Sequence, residues 1–67
     1  MSTTYIRKKS QILTIKNFSE TEYVVKVRHN PVNWVPANSS LTVRLDEWPD
    51  LSMRIFYHPD GVEFEQM

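Results

Sequence analysis

Apolar and polar residues alternate at period two in several short stretches of this chain, and no stretch shows the spacing of an amphipathic helix. Tyr23, Val25 and Val27 alternate with Val24, Lys26 and Arg28, while Leu41, Val43 and Leu45 alternate with Thr42 and Arg44. Leu13 and Ile15 share one face of a third run, with Ile12 and Thr14 on the other. The pattern predicts strands over residues 11–17, 21–29, 40–45, 51–58 and 62–66, and a sixth, an exposed cationic edge, over residues 4–8. The only alanine, Ala37, lies in a loop-like stretch, which agrees with a near absence of helix.

Turn chemistry separates these runs. Pro59-Asp60-Gly61 predicts a tight hairpin between the last two strands, with His58 facing Val62, Phe56 facing Phe64, Tyr57 facing Glu63 and Arg54 facing Gln66. In that register both faces of the hairpin are apolar: Met53, Ile55 and Tyr57 on one, Phe56, Val62 and Phe64 on the other. One face belongs to the core. The other is either covered by the amino-terminal strand or the Trp34 loop, or left for a partner. Residues 29–39, interrupted by Pro31 and Pro36, read as a long connection crossing between two sheets. The expected fold is therefore all-β, a small antiparallel sandwich of five or six strands with immunoglobulin-like connectivity, with a small SH3-like or OB-like barrel as the alternative. The Leu13-to-Ser19 run, the Tyr23-to-Arg28 run and the Pro36-Ala37-Asn38-Ser39-Ser40 turn before Leu41 resemble the turn chemistry of bacterial immunoglobulin-like modules. The likeness carries no functional residue across.

Composition narrows the functional classes. A chain of 67 residues without cysteine is one domain with neither a disulfide framework nor a cysteine-based zinc site, so its core or a second copy must supply its stability. A homodimer fits that requirement. Eight Lys and Arg balance eight Asp and Glu, which removes the field of a dedicated nucleic-acid binder. No apolar run has the length of a signal peptide or membrane span, and the expected location is cytoplasmic. Asn17-Phe18-Ser19 and Asn38-Ser39-Ser40 match the glycosylation pattern by chance.

No residue cluster demands catalysis. His29 and His58 could join Asp46, Glu47 or Asp60 at a metal, but their spacing matches no ligand motif. The serines and threonines lack a nucleophile elbow, and Asp46 and Asp50 flank the Trp48-Pro49 turn. No cofactor and no enzymatic activity are expected. Trp34 and Trp48 lie in proline-containing segments where a core does not require them, as interface anchors commonly do. Lys16, Lys26, Arg28, Arg44 and Arg54 fall mostly on outward faces, as a solvated surface or a basic stripe. The reading that unites these features is a small protein-binding module, accessory, structural or inhibitory. Its expected contact residues are Trp34, Trp48, Phe56, Tyr57 and Arg54, with strand addition at the edge formed by residues 4–9 as one route. The alternative is a domain that stacks carbohydrate or single-stranded nucleic acid on Trp34 or Trp48.

Overall fold

The computed structural model describes residues 2–67. They form seven strands: β1 (Ser2–Tyr5), β2 (Ile12–Asn17), β3 (Tyr23–Val27), β4 (Asn30–Val35), β5 (Ser39–Arg44), β6 (Ile55–His58) and β7 (Val62–Gln66). A single 3-10 turn, Pro49–Leu51, precedes β6, and there is no α-helix among the described residues. The fold is all-β, as the alternation predicts. All ladders are antiparallel and make three small sheets, ordered β1-β6, β5-β2-β7 and β3-β4, which do not close into a barrel.

The core forms where period-two faces converge. Leu13 and Ile15 of β2, Val25 of β3 and Val35 of β4 are fully enclosed, and Ile6, Val43, Leu45, Leu51, Phe56 and Val62 complete the cluster. β2 lies at the centre of its sheet, with Ile15 opposite Leu41 of β5 and Phe64 of β7. Its alternate residues Thr14 and Lys16 meet Thr42 at 3.2 Å and Glu65 at 2.6 Å on the outer face. Asn17 ends the strand in a buried position. Its amide nitrogen donates to the carbonyls of Thr21, Val35 and Pro36 at 2.8–3.2 Å, while its Oδ1 accepts from the backbone and hydroxyl of Ser19. One side chain thereby ties β2 to the loop before β3 and to the end of β4, and the apparent glycosylation site is consumed by packing.

Three expectations are corrected. Residues 29–39 are not one long loop, because β4 occupies Asn30–Val35 and pairs with β3 through a two-residue turn. Arg28 and His29 fill that turn with φ of 51° and 70°, the left-handed backbone of a type I′ connection, for which Asn-Gly is the recognisable sequence. Pro31 is accommodated opposite Lys26, one position beyond the pair that closes the turn, where the ladder needs no N–H from it. Second, residues 51–58 are not one strand: the 3-10 turn and a left-handed Met53 shorten it to β6. Third, the final hairpin makes its turn but not its ladder. The Val62 N–H bonds the Pro59 carbonyl at 3.2 Å around Gly61, whose φ is 89°, yet β6 leaves to pair with β1 and β7 with β2. The Gly61 carbonyl accepts the Phe18 N–H at 2.6 Å, which turns the chain onto the β2 sheet. Of the expected facing pairs, Phe56 and Phe64 still meet as rings at 5.8 Å, while His58 stacks instead on Phe64 at 5.0 Å.

Candidate functional site

The pairing of β6 decides which of its backbone groups are used. The Ile6 N–H donates to the Arg54 carbonyl at 2.8 Å, and the Ile6 carbonyl accepts from Met53 at 2.6 Å. Two residues therefore face one, a bulge whose first position, Met53, has φ of 61° where glycine is usual. Antiparallel pairs alternate, so from Arg54 onward Phe56 and His58 direct their N–H and C=O groups at β1, while Ile55 and Tyr57 direct theirs to the opposite edge. That edge pairs with no other strand among the described residues. The Tyr57 carbonyl does accept one bond there, from the Tyr23 hydroxyl at 3.3 Å.

Tyr23 belongs to β3, whose outer edge is unpaired as well. Counting from the Val27–Asn30 pair that closes the turn, Val25 faces β4, whereas Val24 and Lys26 present their backbone groups away from it. The free edges of β3 and β6 thus look at each other across a groove of about 700 Å³. Tyr5, Ile55 and Tyr57 rise from one bank and Val24, Lys26 and Val27 from the other, with Arg28, His29, Met53 and Arg54 at one end. Burial of the Tyr23 ring pushes its hydroxyl pKa up, so it stays a protonated donor at neutral pH.

Exposure and charge single this groove out. Tyr5 is 48 % exposed, Met53 58 %, Ile55 60 % and Tyr57 69 %, half of the eight large apolar side chains left exposed among the described residues. The Met53, Ile55 and Tyr57 row is therefore covered neither by β1 nor by the Trp34 segment, and the core takes the other face. Lys26, Arg28 and Arg54 supply three positive charges, and no carboxylate lines the groove. The rest of the basic stripe is spent elsewhere: Lys16 pairs with Glu65, a hydrogen bond and charge that push the Lys16 pKa up, and Arg44 pairs with Asp46 at 3.0 Å. Three of the four non-glycine residues with positive φ, Arg28, His29 and Met53, also sit here. Each such residue costs about 1–2 kcal/mol relative to ordinary backbone. A second depression of about 720 Å³, between residues 8–12 and 44–52, has neither facing strand edges nor an exposed large apolar side chain.

The expected contact residues divide. Tyr57 and Arg54 line the groove, with Tyr57 fully outward. Phe56 is buried at 7 % exposure and belongs to the floor of the groove, its ring 5.8 Å from Phe64, rather than standing out as a contact surface. Trp34 projects from β4 opposite Val24, on the same outer face, and is 52 % exposed; Trp48 precedes the 3-10 turn and is 38 % exposed; neither tryptophan lines the groove itself. The edge at residues 4–9 is already occupied at its end: the Gln66 side chain donates to the Tyr5 carbonyl and accepts from the Arg7 N–H, both at 2.8 Å. Sequence reading missed this clamp, because nothing in a terminal glutamine signals it. Ile55 was legible only as a member of an apolar row, and Tyr5 only as part of the cationic edge strand over residues 4–8.

His29 is exposed in the turn, whereas His58 is buried, its Nε2 2.9 Å from the Thr4 hydroxyl. No group of three metal-ligating side chains occurs among the described residues. No described helix is long and apolar enough to cross a membrane. No family model matches the chain, nor does any curated protein or solved structure.

Proposed function

We infer that this chain is a small non-enzymatic module that binds another protein through the groove between β3 and β6 and the apolar face beside it. The observation that carries the reading is the coincidence, in one place, of two unpaired strand edges, four exposed apolar side chains and three unpaired cations. An edge left open on a soluble domain is normally short, charged or covered, since it invites pairing with another chain. Here Gln66 caps the end of the β1 edge, while the edges of β3 and β6 face each other unpaired. The three sheets fit a sandwich-like arrangement, with β5-β2-β7 as one layer and the two two-stranded sheets as the other. In this reading the binding layer is the one that lacks a central strand. A cytoplasmic location is compatible with the absence of cysteine.

The alternative, stacking of carbohydrate or single-stranded nucleic acid, draws on the exposed Trp34 but has no second aromatic ring in contact with it. The discriminating experiment compares retention of lysate proteins by wild type and by Tyr57→Ala, Trp34→Ala and Trp48→Ala variants, each verified as folded by circular dichroism. A specific protein lost with Tyr57→Ala and Trp34→Ala but kept by Trp48→Ala supports the groove-side surface. Quenching of Trp34 fluorescence by a glycan or oligonucleotide, with no retained protein, would replace this reading with the alternative.

A further inference from the structure

We propose that the gap between β3 and β6 captures an extended acidic segment of a partner protein, which inserts as the missing strand and joins the β1-β6 and β3-β4 ladders into one five-stranded sheet. The proposal rests on the docking reading above and adds the chemistry of the partner. The backbone makes the first argument. Val24 and Lys26 on one bank, and Ile55 and Tyr57 on the other, hold N–H and C=O groups that a backbone satisfies in series; at the Tyr57 carbonyl it would take the place of the Tyr23 hydroxyl that now bonds it across the gap. β3 and β6 run in opposite directions, since Tyr23 meets Tyr57 while Arg28 and Val27 share a depression with Arg54. An inserted strand would therefore pair parallel to one and antiparallel to the other, as mixed sheets permit.

Charge makes the second argument. Lys26, Arg28 and Arg54 form no ion pair among the described residues; Arg54 donates through Nε to the Asp50 backbone carbonyl at 2.5 Å, and Asp50 lines the adjoining depression with Arg28 and Arg54, so Lys26 is the cation farthest from a carboxylate on this bank. A segment with Asp or Glu at alternate positions would set them on the outer face beside Lys26, which Tyr5, Ile55 and Tyr57 share, while its other residues turn inward onto Tyr23, Val27 and Phe56 at the floor of the groove. Nucleic acid could neutralise the same cations but cannot continue the ladder on either bank.

The test pans a library of random peptides of about twelve residues, long enough to span these strands, against the full folded chain. Binding of the enriched peptides is then measured by titration and amide hydrogen exchange. The expected peptides alternate Asp or Glu with apolar residues. They should bind at least about tenfold more weakly to Lys26→Glu/Arg54→Glu, and more weakly also to the milder Lys26→Gln/Arg54→Gln. They should slow exchange at the amides of Val24, Lys26, Ile55 and Tyr57. No enrichment, unchanged affinity in both double variants, or protection elsewhere would overturn the proposal. So would a short oligodeoxythymidylate that displaces the peptides, or a peptide-free dimer in sedimentation that protects the same amides. Neutral peptides that protect those four amides would remove the acidic partner and leave the docking groove standing. Failure of Tyr57→Ala to affect any retained protein would remove the docking reading itself.

Discussion

The three-stranded sheet and the two two-stranded sheets of this molecule solve the same problem differently. In the β5-β2-β7 sheet a central strand has partners on both sides, its inward residues are enclosed, and its outward residues are tied by Lys16–Glu65 and Thr14–Thr42. Around the same core, the two-stranded ladders face each other with edges unpaired, apolar side chains outward and left-handed backbone at Arg28, His29 and Met53. The difference teaches where stability resides and where it has been given up. A pair of strands is marginal by itself, so the two-stranded sheets are held by their inner faces on the same core rather than by their own hydrogen bonds.

The contrast predicts unequal costs for equal changes. Ile15→Ala, in the three-stranded sheet, should cost about 2–5 kcal/mol, close to the whole stability of a domain this small, whereas Ile55→Ala should stay within about 0.5 kcal/mol. Denaturant titration of the two variants checks this, and similar losses would break the distinction between the sheets. Asn17→Ala should be next, at about 2–3 kcal/mol, since it strands buried carbonyls of Val35 and Pro36. It should also speed exchange of amides at the end of β4.

Strain in the two-stranded sheets gives an effect of opposite sign. Arg28→Asn/His29→Gly places the residues a type I′ turn prefers and should raise stability by about 1 kcal/mol, read as a higher denaturant midpoint. A loss would mean that the Arg28 and His29 side chains hold the turn. The smallest effect concerns Tyr23. Its pKa is raised by burial, so its contribution is complete below pH 10 and is lost as pH rises above that value, when a tyrosinate can no longer donate to Tyr57. Melting temperature followed from pH 8 to 11 should fall more for wild type than for Tyr23→Phe, a difference of about 0.5–1 kcal/mol.

How much was legible follows the same division. Alternation over β2, β3 and β5 put Leu13 with Ile15, Val25 with Tyr23 and Val27, and Val43 with Leu41 and Leu45 on single faces, and the structure buries those faces at Leu13, Ile15, Val25 and Val43. β4 was illegible because its turn carries Arg-His instead of Asn-Gly and its second residue is proline, so backbone strain and an edge position replaced the usual signals. The final pairing was illegible for another reason. A correct turn at Gly61 does not say which strands its arms will join, and here the Phe18 N–H and the β1 edge outcompeted the hairpin. Of the site, Tyr57 and Arg54 could be named from sequence, but the facing of two strand edges is a property of packing that no local pattern encodes.

The central position of β2 also governs the order in which the molecule can assemble. β2 is synthesised early, β5 can join it through the middle of the chain, but its second partner, β7, is the last strand of the seven. Until β7 leaves the ribosome, one edge of β2 lies bare, and β1 waits for β6 across most of the chain length. Pairings this distant in sequence fold slowly, on the millisecond-to-second scale of high-contact-order β domains. The nascent protein therefore passes through a stage in which Leu13 and Ile15 sit in an incomplete sheet, and that interval, rather than the finished fold, is where it is most exposed to aggregation.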